Sequence, residues 1–241
     1  MTEQKISSAI NSLYMMTEIA RPTVENCITP LSELIGGCDG LTCKELSRLT
    51  SQAATSYLLK YGGLISIPKE IDVDREPLAG YLYATPNFGS IFVEQADLIV
   101  RRRFTIAHEL GHFLLHRPLL MQLPDDDQQF FVESFKAGED VSEIVAESED
   151  LLLGQVTINK TDQAHLILPT FEDMEKEANL FAAELLIPEA VIQPLIETYI
   201  PHFQYDDLVW RLASDMLVSR AAIRLRLRNL NLLPPSAAQF N

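Results

Sequence analysis

His108 and His112 stand four residues apart in the run Arg103-Phe104-Thr105-Ile106-Ala107-His108-Glu109-Leu110-Gly111-His112, and no other feature of the chain constrains its fold as tightly. Apolar residues recur at helical spacing through the lead-in, and Phe113-Leu114-Leu115 continues the stripe, so the segment predicts a helix with one buried face. On an α-helix, residues four apart share a face about one turn apart; both imidazoles can then point at a single ion while Glu109 projects beside it. With five histidines in 241 residues, a chance H-E-x-x-H is on the order of one in a hundred. A metal site is therefore the expectation. Zinc takes imidazole nitrogens readily, and a catalytic zinc leaves one of its four positions to a water whose pKa falls to about 7. Glu109 is placed to take that water's proton as it attacks a carbonyl.

Such a site needs a third protein ligand, and Met174 to Pro188, MEKEANLFAAELLIP, is the best place to find it. Alanine and leucine favour a helix there, acids cluster in its first turns where the macrodipole favours them, and Pro188 stops it. Glu175 and Glu177 project about 200° apart on a helical wheel, so one alone can face the ion. Glu175 has Asn179 one turn on, a polar residue able to hold a ligand imidazole by its other nitrogen. The expectation is Glu175 at the metal and Glu177 on another face, as a surface glutamate. His116, one turn beyond His112, lies roughly 12 Å along the axis from His108, too far to join an ion bound at about 2 Å. The position six after His112 is Pro118 rather than His, so the longer three-histidine zinc motif fails as well. His116 is expected to pack or to hold a ligand ring.

With these two segments in view, RFTIAHELGHFLLH followed by ExEANxFAAELLxP resembles the ImmA/IrrE-type metallopeptidases, bacterial and phage proteins with a gluzincin-like fold. The resemblance spans about Thr42 to His116 and Phe171 to the end. It implies a zinc-dependent endopeptidase in which His108, His112 and Glu175 hold Zn2+ and Glu109 is the catalytic base. It further implies a protein substrate, a helix-turn-helix transcriptional repressor whose cleavage releases genes of a stress or mobile-element response. One departure is the long interval from Arg117 to Met174, which reads as an insertion. From Leu119 to Glu189 there are 17 acidic residues against three lysines, so most of the formal charge of −15 lies there. We read it as a solvated acidic loop with a short helix, Phe130 to Ala137, in preference to a recognition surface for a basic partner.

The remaining sequence predicts an α+β fold with a small, mainly antiparallel sheet and a C-terminal helix-turn-helix-like segment, and the resemblance implies that the catalytic domain is zincin-like. Ile6 to Ile19 and Thr42 to Tyr61 read as helices. Leu64 to Ile67, Leu78 to Tyr83 and Ser90 to Val93 read as strands separated by turn residues such as Pro86-Asn87-Phe88-Gly89. Ser90 to Val93 is the expected edge, able to hold an extended substrate by β-augmentation. The expected domains are a helical extension over 1–41, a metallopeptidase domain over 42–200 carrying the acidic insertion at about 118–171, and the C-terminal region over 201–241.

Asp206 to Asn229 resembles a helix-turn-helix, with Leu208, Leu212 and Met216 on one side of its first helix, a turn near Val218-Ser219, and Arg220, Arg224, Arg226 and Arg228 on the second. This supports an alternative function, a regulatory DNA-binding or protein-interaction module with a structural or vestigial metal site. A sequence pI near 4.7 opposes approach to a phosphate backbone, so specific nucleic-acid binding is not expected. No window approaches ~20 uninterrupted apolar residues and the N-terminus lacks a signal-peptide core, so neither a membrane span nor export is expected and the localisation read from sequence is cytoplasmic. Cys27, Cys38 and Cys43 form an odd set without a CxxC pair and read as reduced thiols. Tyr199, His202, Tyr205 and His165 are all candidates for stabilising an oxyanion, and sequence does not choose among them.

Overall fold

The computed structural model of the chain describes residues 2–69, 71–122, 131–136, 157–158 and 169–232. Helix α1 (Thr2–Thr17) buries Ile6, Ile10, Leu13 and Tyr14, a stripe at helical spacing. It ends before Glu18, whose φ of 57° lies outside the right-handed region. A short helix, α2 (Leu31–Gly36), follows.

The single helix expected over Thr42 to Tyr61 is two elements. Strand β1 (Leu41–Leu46) comes first, and helix α3 (Ser51–Tyr61) begins only after Thr50, whose side chain accepts a hydrogen bond from the Ala53 N–H. Local preference in Leu-Thr-Cys-Lys-Glu-Leu is overridden by pairing with a strand far along the chain. The expected strand at Leu64 to Ile67 is irregular, with Ile65 97% exposed. It follows Gly63 at φ 77° and precedes Pro68, and among the described residues no strand pairs with it.

The other strands are β2 (Leu78–Ala84), β3 (Gly89–Glu94), β4 (Phe131–Lys136) and β5 (Thr157–Ile158), and the sheet order is β1-β3-β2-β4-β5. The β1–β3 pair is parallel and the remaining three are antiparallel, so the fold is α+β with a mixed, mainly antiparallel sheet. Two expectations are corrected by this order. Ser90 to Val93 is not an edge, because β3 is bonded on both sides, to β1 and to β2. The segment expected as a helix over Phe130 to Ala137 is strand β4, with Val132 and Phe135 buried. Its apolar and aromatic side chains satisfy a pleated, half-covered surface once β2 supplies the neighbouring backbone. Beyond Phe131 and Val132, which pair with β5, the outer side of β4 carries no further strand among the described residues.

Alternation with period two splits the sheet's side chains between two apolar clusters. Leu82, Ala84, Ile91 and Val93 join the larger one, while Tyr81, Tyr83 and Phe92 pack with Leu49, Ala54 and Leu58 around α3. The larger cluster is covered by α4 (Ile99–Leu115) and α5 (Phe171–Leu186), and it extends from Ile6 of α1 to Leu227 near the C-terminus. Pro188 ends α5 as expected, and α6 (Glu189–Tyr199) departs at 53°. Among the described residues no single helix is long and apolar enough to cross a membrane.

Helices α7 (Tyr205–Met216) and α8 (Arg220–Asn229) close the described chain. The turn between them uses Leu217 at φ 52°, and Ser219 caps α8 by accepting from the Ala222 N–H. Leu208, Leu212 and Met216 are buried on one side of α7.

Candidate metal centre

Helix α4 is buried almost continuously from Arg103 to Leu115, which is unusual for a segment carrying two His, one Glu and one Arg. The arginine and the two histidines have partners within the fold. Arg103 donates to the backbone carbonyls of Thr29 and Leu217. His108 and His112, both fully buried, turn their Nε2 atoms to within 3.1 Å of each other. Glu175 of α5 completes the group, its carboxylate oxygens 3.5 Å from His108 Nε2 and 3.0 Å from His112 Nε2.

The approach of the two helices depends on Gly111, the second of the two variable positions in the motif. A Cβ there would lie 3.1 Å from the Phe181 ring, 3.2 Å from the Ala178 Cα and 3.3 Å from the Ala178 carbonyl oxygen. A glycine on α4 facing Ala178 on α5 lets the backbones come close enough for a glutamate to reach a histidine pair.

Electrostatics suit a cation. Burial lowers the pKa of His108 to about 4 and lowers that of His112 too, so both rings are neutral at neutral pH. Burial works against the Glu175 carboxylate, yet the His108 and His112 rings beside it hold its pKa below the ordinary value. His108 Nδ1 lies 3.0 Å from the Asn179 Oδ1, which accepts its proton and leaves the Nε2 lone pair facing inward. Phe135 of β4 packs its ring 5.2 Å from that of His108, so the outer strand borders the group.

His108, His112 and Glu175 are buried and their donor atoms all lie within 4.8 Å of one another. Three donors on a tetrahedral ion with bonds near 2.0–2.1 Å stand about 3.3 Å apart, and the separations here run from 3.0 to 3.5 Å. Two nitrogens and a carboxylate oxygen are ordinary zinc donors, so the residues fit such an ion.

Glu109 is fully buried and rests against the sheet. A Cβ on Gly80 of β2 would come within 2.4 Å of its Oε1 and 2.5 Å of the Thr105 methyl. Sequence reasoning missed Gly80, although a glycine inside a strand marks a close approach and the β2–β4 register does shift between Leu78 and Gly80. It also missed the use made of Glu177. Expected as a surface residue, Glu177 accepts from Lys5 and has its Oε2 3.1 Å from His116 Nε2, with its side chain 14% exposed. Helix α5 lies between α4 and α1, so its two glutamates reach different partners without sharing a face. His116, itself fully buried, has its Nδ1 3.0 Å from His112 Nδ1 and packs behind that ring.

Of the oxyanion candidates, Tyr199 gives its hydroxyl to Asp215, His202 is exposed, Tyr205 packs against the larger apolar cluster, and His165 lies outside the described residues. The three cysteines are free thiols, and burial pushes Cys43 up to about 12. Among the arginines of α8, Arg226 is buried, donating to the Ile187 carbonyl and to Glu184, and Arg224 pairs with Asp206, while Arg220 and Arg228 are exposed.

Comparison with known families matches residues 69–137 and 152–228 to the model of peptidase family M78, described as an IrrE N-terminal-like domain. The match takes in α4, β4 and α5 and so every residue of the buried group; residues 138–151, with six acidic side chains, stand outside it. A search of curated proteins finds no match.

Proposed function

The chain belongs to peptidase family M78, whose members carry an IrrE N-terminal-like domain, and on that premise we propose that it is a zinc-dependent endopeptidase acting on a helix-turn-helix transcriptional repressor. The observation that carries the enzymatic part is the convergence of His108 Nε2, His112 Nε2 and Glu175 in one buried group. These three residues would hold Zn2+, which when bound supplies a Lewis acid that polarises a carbonyl and brings the pKa of water near 7.

The protein's own residues do the rest. Asn179 fixes the His108 ring by accepting its Nδ1 proton. Glu109, pressed against Gly80, is the general base that takes a proton from the attacking water and returns it to the leaving amine. Strand β4 takes the role first assigned to β3: beyond Val132 its outer side carries no strand among the described residues, and Phe135 touches His108. An extended peptide paired there would be held through its backbone, with its scissile bond beside the buried group. The repressor as substrate rests on the resemblance of the two motifs, as does a role in a stress or mobile-element response. The alternative, a DNA-binding protein with an idle metal site, is weakened by the inward-facing Arg226.

The test is metal content and cleavage together. Purified protein should bind one zinc per chain. Glu109→Gln should keep that zinc while cleavage of a helix-turn-helix repressor encoded beside it falls by about 10²–10⁴, the usual contribution of a general base. No zinc after remetallation, or normal cleavage by the Gln variant, would overturn the reading.

A further inference from the structure

We propose that Thr105 is a positioning residue for the general base: its hydroxyl donates to the Glu109 carboxylate in the notch left by Gly80, holding one oxygen so that the other is aimed at the reacting atoms. The proposal deepens the zinc-peptidase reading and rests on it.

Thr105 carries an orphaned group. Its side chain is fully buried in α4, and its Oγ1 has no hydrogen-bond partner. A threonine inside a helix ordinarily bonds the carbonyl three or four residues back, and Thr105 leaves that acceptor unused. A buried hydroxyl without a partner destabilises a fold, whereas valine offers the same branched shape with nothing to satisfy. An orphan of this kind calls for a role beyond the fold, catalysis among them.

Its address supplies that role. Thr105 lies one turn before Glu109 on the same helix face, and a helical side chain leans back over the preceding turn, so the carboxylate projects toward it. The two side chains meet at β2. A Cβ on Gly80 would stand 2.4 Å from Glu109 Oε1 and 2.5 Å from the Thr105 methyl, so the missing side chain makes one seat for both. Strand β2 is bonded to β3 on one side and β4 on the other, which fixes the backbone around the notch. Glu109 is as deeply buried there as Thr105. In this structure the methyl faces the seat; the hydroxyl on the same carbon comes to the carboxylate by side-chain rotation, with no shift of backbone. Thr105 acts through Glu109.

Thr105→Val keeps the branched shape and removes the donor. We expect it to bind Zn2+ with wild-type affinity in a chelator competition and to melt no lower than wild type when metal-free. Its kcat on the helix-turn-helix repressor encoded beside it should fall about 10–100-fold at unchanged KM, the worth of a hydrogen bond to a charged group. Thr105→Ser, which keeps the donor and loses the methyl, should restore most of kcat. Gly80→Ala sets its Cβ against the ends of two flexible side chains rather than backbone, and should likewise lower kcat without loss of zinc. A melting temperature well below wild type in the Val variant would show that the hydroxyl serves the fold. Wild-type kcat in that variant, or a Ser variant as slow as Val, would overturn the positioning role while the peptidase reading stands. A wild-type protein that neither binds zinc nor cleaves would bring down both.

Discussion

Burying neutral histidines has a cost that pH exposes. His108 has a pKa of about 4 against an ordinary 6.5, and burial lowers His112 and His116 as well. As pH falls below 6.5 the unfolded chain takes up these protons while the folded chain does not, so stability falls until His108 itself protonates near 4. Glu177 behaves in the opposite sense and lower down. Its hydrogen bond from His116, aided by Lys5, holds it at about 2, so its contribution is present above 4.5 and lost only toward 2. We therefore expect the melting temperature of metal-free protein to drop steadily between pH 6.5 and 4, and the slope to flatten in His108→Leu. A profile that is level or rising on acidification, or an unchanged slope in that variant, would contradict the buried-neutral account.

At the scale of elements, the site is a contact between two helices whose separation is set by a glycine. Gly111→Val would place branched carbons where Phe181 and the Ala178 backbone already stand 3.1 to 3.3 Å from a single Cβ. Overpacking of this kind costs about 1–3 kcal/mol. We expect the larger effect on metal: α5 must retreat, drawing Glu175 away from the histidine pair, so zinc affinity should fall by about tenfold or more. Titration of wild type and variant under one competing chelator measures it; a Val variant with intact affinity would mean that α5 does not depend on this approach. The sheet makes a related point. Leu41 to Leu46 and Phe131 to Lys136 carry weak or misleading local signals, and each becomes a strand because a partner backbone, β3 or β2, completes its hydrogen bonds. Thr50 and Thr170, which cap α3 and α5 by accepting from the Ala53 and Asp173 N–H groups, are start signals that the reading of the sequence passed over.

Charge is the property that belongs to the whole molecule. A net charge of −15 repels nucleic acid at long range, and at short range α8 offers Arg220 and Arg228 free of the inward contacts that hold Arg226 and of the Asp206 pairing of Arg224. We expect negligible sequence-selective binding in a mobility-shift titration of genomic fragments. Tight, selective binding that weakens steeply with salt and vanishes in the double variant Arg220→Ala, Arg224→Ala would return the C-terminal helices to a DNA-reading role.

The sequence by itself determined the helix of His108 to His112, the choice of Glu175 over Glu177 at the site, and Asn179 as the partner of His108, because each follows from helical spacing and side-chain chemistry within one segment. The strand order could not be read the same way. Whether Ser90 to Val93 is an edge depends on Leu41 to Leu46, about fifty residues upstream, lying alongside it. Glu177 tells the same story at residue scale: spacing turned it away from the group of His108, His112 and Glu175, but only the packing of α1 and α4 on either side of α5 decided that it would meet Lys5 and His116 rather than water. Local periodicity fixes which way a side chain leaves its own helix; what it finds there is set by elements brought together through burial, and that information is spread over the whole chain.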